Sequence, residues 1–166
     1  MKSSAPVCPV PTEQQPINEF RDLTESWFFR WATLDWWPYV KPLIVLWSLS
    51  WVIVWPVAAI SFPPVKDPGH FFVCGVVGAC ALPLLALSNL ALGWLYVRDR
   101  LRKETIFYEE SGWYDGQTWT KPEEVLQRDR LIVSYQISPI MQRLRRTFLF
   151  FVGLFLACVF AWLLLP

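Results

Sequence analysis

The chain has 166 residues, a length that suits one domain, yet 54% of them are hydrophobic, more than a soluble core of that size needs. The surplus apolar surface must meet lipid. Net charge is only +1, with the two signs interspersed, so the basic stripe that nucleic-acid binding requires is missing and nucleic acid is excluded as a partner.

The first segment, residues 1–41, reads as a Pro-rich leader followed by an amphipathic helix. Ile17, Phe20, Leu23, Trp27, Phe28, Trp31 and Leu34 recur at steps of three and four, while Glu19, Arg21, Asp22, Glu25 and Arg30 take the positions between them. Such a helix is expected to lie on a membrane surface, with Phe20, Trp27, Phe28 and Trp31 in the interface. It serves either as an anchor or as a docking face for a partner. No apolar run precedes Pro42, and the start is neither Arg-rich nor acid-poor, so neither a signal peptide nor an organelle transit peptide is expected.

Three uncharged runs follow. Residues 42–62 carry no charge over 21 positions, enough helix to cross a hydrocarbon layer of about 30 Å. Residues 63–70 form a short Pro-rich turn, and residues 71–97 make a second run long enough that Trp94 and Tyr96 are expected in the headgroup region. The third run, residues 147–166, holds 13 Leu, Phe and Val residues, together worth about 4 to 8 kcal/mol of insertion free energy. The predicted fold class is therefore an all-α membrane protein with three transmembrane helices, an amphipathic surface helix and a small α+β loop at residues 98–146. Arg30, Lys41, Arg98, Arg100, Arg102, Lys103, Arg143, Arg145 and Arg146 flank one side of the runs, against Lys66 on the other. By the positive-inside rule the N-terminus and the large loop share the cytoplasmic side.

Within the loop, Thr105–Tyr108 and Gly112–Trp119 are β-prone, and Asp115-Gly116 is a strong turn signal, so a hairpin is expected around it. Residues 123–135 fit either a helix or a helix followed by a strand, since Leu131–Tyr135 includes β-branched residues. Ser138 followed by Pro139 reads as an N-cap and first-turn proline opening a helix that continues into the third run.

Chemistry-bearing residues are few. His70 is the single histidine, no phosphate-binding glycine loop occurs, and Glu109-Glu110 and Glu123-Glu124 lie among cations on a polar segment, so an enzyme is not expected and no metal site is assigned. Cys8, Cys74, Cys80 and Cys158 lack metal-ligand spacing and read as small apolar residues. Trp47, Trp51 and Trp55 share one flank of the first run. They either pack against a neighbouring helix or stack on a pigment such as chlorophyll or carotenoid, or on a quinone, with His70 as a candidate metal-facing ligand. In the second run Gly75, Gly78 and Ala79 permit close helix approach, Pro83 predicts a kink, and Asn89 is a polar side chain in an apolar setting.

Longer motifs carry a resemblance. Cys8–Phe20, Ser26–Trp31, Tyr108–Trp119, Arg128–Ile132 and Pro139–Arg145 together resemble the hypothetical chloroplast open reading frame thirty-six family. That family occurs in cyanobacteria and photosynthetic plastids, and its plant members are nucleus-encoded with a transit peptide. The resemblance implies a multi-pass thylakoid membrane protein linked to photosynthetic function or its response to stress such as low iron. Its large loop would then be cytoplasmic or stromal and its C-terminus lumenal. It implies no defined reaction and supplies no catalytic residue. The resulting expectation is a non-enzymatic factor that meets membrane lipids and subunits of an assembling photosynthetic complex. Trp113, Tyr114, Asp115, Trp119 and Arg128 are the expected contact residues, because Trp, Tyr and Arg dominate interface energetics. In the alternative, Trp113 and Trp119 merely fill a small hairpin core.

Overall fold

A computed structural model describes residues 8–109 and 116–165. In chain order it contains helices α1 (Pro16–Glu25), α2 (Trp36–Ser61), α3 (Pro68–Ala79) and α4 (Ala81–Arg102), strands β1 (Thr105–Glu109) and β2 (Gly116–Thr120), and helices α5 (Glu123–Ile132) and α6 (Ser138–Leu164). Among the described residues three helical stretches are long and apolar enough to cross a membrane: Trp36–Ser61, Pro68–Arg102 and Glu123–Leu164. The protein is thus mostly helical, with one small two-stranded sheet. It divides into two compact units, Met1–Arg30 with Gly93–Pro139, and Trp31–Leu92 with Ile140–Pro166.

The second unit holds most of the apolar helix. Helix α3 starts where its sequence dictates: Asp67 caps it by accepting from the His70 backbone N–H at 3.2 Å, and Pro68 occupies a first-turn position where a missing N–H costs nothing. Gly75 and Gly78 let α2 approach α3 closely. A β-carbon at Gly75 would lie 2.5 Å from the Trp51 ring, and one at Gly78 would lie 2.8 Å from Val54. The second apolar run is not one regular helix: α3 ends at Ala79 and α4 begins at Ala81, with the Cys80 N–H turning back to Gly78 and Val77. Pro83, the site of the predicted kink, lies just past this break and has no N–H to continue the α3 ladder. At the opposite end of this unit the Trp31 indole N–H donates to the Tyr39 carbonyl at 2.7 Å, the Tyr39 hydroxyl pairs with Thr147 at 2.9 Å, and Arg143 donates to the carbonyls of Ala32 and Leu34. The Arg143 guanidinium also lies 5.4 Å from the centre of the Tyr39 ring.

Three local expectations are corrected. The amphipathic helix does not reach Leu34: α1 stops at Glu25, Ser26 turns to ψ 129°, and the chain continues through a 3-10 turn at Phe29–Thr33. Trp27, Phe28 and Trp31 are therefore off the helix that carries Phe20. Ser138 is not an N-cap, because its backbone is helical and the helix runs through it from Glu123 to Leu164. A π turn at Val133–Ile137, in which the Ser138 N–H bonds to the Val133 carbonyl, opens the helix ahead of Pro139, whose ring would crowd a regular turn. That turn also settles Leu131–Tyr135 as helical rather than extended. Finally, Gly116 is a strand residue paired with Glu109 and not the second half of a two-residue turn. The strand connection, residues 110–115, lies outside the described residues, and with it Trp113, Tyr114 and Asp115.

Candidate interaction module

The first unit gathers the leader, α1, the end of α4, the hairpin and α5. Strands β1 and β2 pair antiparallel, Ile106 opposite Trp119 and Tyr108 opposite Gln117. Alternation along β1 turns Ile106 and Tyr108 inward and Phe107 outward. Ile106 and Tyr108 are buried with Val10 of the leader, and Cys8 and Trp119 pack around them. Trp119 therefore packs on this core, while Trp113, its companion in the core-filling reading, lies outside the described residues. The outward Phe107 ring covers Gly116, where a β-carbon would lie 2.2 Å from the ring, so the glycine serves a close approach within the strand.

The leader is stitched to the hairpin by its side chains. Gln14 imitates a further strand residue: its amide donates to the Glu109 carbonyl, and its oxygen accepts from the Glu109 N–H, both at 2.9 Å. Arg100 on α4 ties the same segment from below. Its guanidinium donates to the Glu19 carboxylate at 2.6 Å, to the Gln14 carbonyl at 2.9 Å and to the Tyr96 hydroxyl at 2.9 Å. The Phe20 ring meets Trp94 edge-on at 6.1 Å, and the fully buried Trp94 donates its indole N–H to the Phe29 carbonyl at 3.3 Å. Burial raises the Glu19 carboxyl above its ordinary value; Arg100 opposes the rise and Asp22 adds to it.

Lys121, just after β2, is buried, its side chain 0% exposed. Its ammonium donates to the Arg100 and Leu101 carbonyls at 3.1 and 3.0 Å and to Asp129 at 2.8 Å. A cation is thus placed on the last carbonyls of α4, where the helix dipole favours it, and is neutralised by α5. Arg128 closes the cluster by donating to the second Asp129 oxygen at 3.1 Å, while its own side chain stays 54% exposed. Arg130 pairs with Glu104 at 3.3 Å. Sequence reading singled out Arg128 and Trp119 but missed Lys121, Asp129, Gln14 and Trp94 as organisers. Their partners lie too far along the chain to show in any local spacing, and only the motif Arg128–Ile132 drew notice to Asp129.

The exposed face of this module carries large side chains. Leu131 is 57% and Tyr135 is 77% exposed, on the same side of the α5 helix and π turn as Arg128, and Trp27 is 88% exposed on the leader side. Tyr135 and Trp27 are hot-spot residue types, and among the described residues both stand largely exposed.

The Trp47, Trp51 and Trp55 flank lies in the other unit, where Trp51 and Trp55 touch α3 while Trp55 stays 55% exposed. The Trp51 ring lies over Gly75 and 6.1 Å from Phe72, and Trp55 meets Phe71 at 5.0 Å. His70 is separate from that flank. Its Nδ1 pairs with Asp67 at 2.8 Å, and its ring stacks on Phe62 and meets Trp162 edge-on at 4.4 Å. The hydrogen bond from His70 holds the half-buried Asp67 carboxyl below its ordinary value.

Fold and module together define a helical protein with three helices fit to cross a membrane, coupled to a small polar unit. Residues 8–150 match the CGLD27-like family, described as conserved in the green lineage and diatoms 27, and the chain belongs to that family. It is 44% identical over 140 residues to the uncharacterized protein ycf36 of Porphyra purpurea, covering 84% of this chain and 85% of that one. It is 41% identical over 140 residues to the ycf36 protein of Cyanophora paradoxa, covering 84% and 88%. Over 157 residues it is 41% identical to the Arabidopsis thaliana chloroplastic protein conserved in the green lineage and diatoms 27, covering 92% of this chain and 48% of that longer one. No solved structure matches the chain.

Proposed function

We propose that this chain is a multi-pass thylakoid membrane protein without catalytic activity, whose polar module binds subunits of a photosynthetic complex and assists its assembly or stability. The observation that carries the reading is the module's division of labour. Its charged and amide groups, Gln14, Glu19, Arg100, Lys121 and Asp129, are engaged in holding it together, while Arg128, Leu131 and Tyr135 face outward from one side of a helix. That is the arrangement of a binding surface on a rigid support. The chloroplastic relative and the apolar helices support a plastid-type membrane setting. The bias of cations supports a cytoplasmic or stromal module with a lumenal C-terminus.

Affinity purification of the tagged chain from thylakoids, with mass spectrometry, tests this directly. Photosystem, cytochrome or pigment-synthesis proteins should co-purify and be lost with the Leu131→Ala and Tyr135→Ala double variant. Recovery of none of these proteins would sink the assembly reading.

A pigment, carotenoid or quinone reading is the alternative. An open apolar groove lined by Val73, Val77, Cys158, Val159, Trp162 and Leu163 is one candidate place for it, and the Trp47, Trp51 and Trp55 flank, where Trp55 stays exposed, is the other. An absorption spectrum of the protein purified in mild detergent tests that reading, and a colourless, quinone-free preparation would count against it.

A further inference from the structure

We infer that Arg98 and Arg102 of α4 form a binding site for the anionic headgroup of a membrane lipid. The fold gives most of the nearby cations a partner and leaves these two wanting. Arg100 is consumed by Glu19, Gln14 and Tyr96, Arg130 pairs with Glu104, and Arg128 meets Asp129 while its side chain stays 54% exposed. The Arg98 Nε, by contrast, is buried and has no acceptor among the described residues, and its nearest carboxylate, on Asp99, stands 4.0 Å from Nη2. A buried donor left without an acceptor costs free energy, which rotation of the partly exposed Arg98 side chain toward an incoming oxygen recovers. Arg102 follows one helical turn later on the same face; it is exposed, and no described carboxylate lies within ion-pair distance.

Position selects the ligand. Arg98 is the first charge after the uncharged stretch that ends at the fully buried Val97, and Tyr96, 56% exposed, stands beside it. That is the level at which headgroups meet a crossing helix and at which tyrosine is favoured. A guanidinium fork pairs with a phosphate through two parallel hydrogen bonds, and a second arginine one turn away adds charge without competing for the same oxygens. The exposed Asp99 carboxylate weakens the field but projects about 100° around the helix from Arg98.

The inference rests on the membrane-crossing reading, so the test separates the two. The full-length protein is reconstituted into vesicles of phosphatidylcholine alone or mixed equally with phosphatidylglycerol. Resistance to alkaline extraction from neutral vesicles reports membrane crossing, and loss of the protein from them would count against that reading alone. The lipids retained after mild-detergent extraction, read by native mass spectrometry, report the site. Phosphatidylglycerol should be retained in preference to phosphatidylcholine. Arg98→Gln and Arg102→Gln should each reduce that preference about five-fold, the effect expected of one cation at an anionic surface. Arg130→Gln should leave it unchanged. Equal retention of the two lipids, or an unchanged preference in the double variant, would overturn the site. Displacement of the lipid by inorganic phosphate would reassign it to a free anion.

Discussion

Lys121 has a completely enclosed side chain, and Asp129 and two helix-terminal carbonyls surround its ammonium. Removing one member of such a pair strands the other, whereas removing both leaves an apolar site that repacks. Lys121→Met is therefore expected to destabilise the module by about 3–5 kcal/mol, and the Lys121→Met, Asp129→Leu double variant by clearly less. Cys8 packs on the hairpin core and so reports opening: its alkylation rate, read by mass spectrometry, should rise steeply in the single variant and fall back in the double. If the double variant opened as readily as the single one, the pair would not act as a unit. Glu19 gives the same module a pH dependence of known sign. Its folded pKa is raised, mainly by burial, so the folded state holds the proton more tightly than the unfolded state does. Its contribution is complete below the unfolded value and is lost as pH rises through the folded one, in a window that opens near the ordinary carboxyl value of 4.5 and extends upward. Glu19→Gln should flatten that slope in the Cys8 alkylation rate, and an unchanged slope would place the titration elsewhere. None of this was visible in the sequence beforehand, because Lys121 and Asp129 look like ordinary loop and helix charges until folding encloses them.

The elements were legible to the extent that one physical signal dominated each of them. Uncharged runs long enough to span a bilayer located the apolar helices, and β-prone stretches beside Asp115-Gly116 located the hairpin, because length and composition act over many residues at once. Boundaries escaped where local signals were overridden. The three- and four-residue period continued past Ser26 although the helix did not, and Ser138-Pro139 imitated a helix start because a π turn upstream is invisible to spacing rules. The small residues of α3 were read for what they do, and they yield a contrast between two glycines. A side chain at Gly75 must displace the Trp51 ring, while Gly153 on α6 faces open space among the described residues. Gly75→Leu should separate α2 from α3 at a cost of about 1–3 kcal/mol, whereas Gly153→Leu should be nearly neutral. Thermal unfolding in detergent, followed by near-ultraviolet circular dichroism of the tryptophans, distinguishes them. Equal loss in both would mean that the Trp51 contact contributes little.

For the whole molecule, the leader's place in the fold has a topological consequence that does not depend on counting charges. Val10 is buried with Ile106 and Tyr108, and Gln14 pairs with Glu109, so residues before α1 and residues after α4 belong to one folded unit. Two parts of one compact unit cannot lie on opposite sides of a bilayer. On the proposed membrane-crossing reading the chain would cross an even number of times between them, and α2 with the α3–α4 stretch are long and apolar enough to supply two crossings. A third, through α6, would then put Leu165 on the far side together with the α2–α3 turn at Val65. This agrees with the cation bias but follows from packing, which makes it the stronger constraint. In a background lacking the four native cysteines, single cysteines at Glu13 and Lys103 should react with a membrane-impermeant maleimide from the same face of sealed vesicles. A cysteine at Val65 should react only from the other face or after permeabilisation. Should Glu13 and Lys103 label from opposite faces, the packing of the leader on the hairpin would be wrong, however well the apolar helices insert. Should all three label together without permeabilisation, the membrane-crossing reading itself would fail.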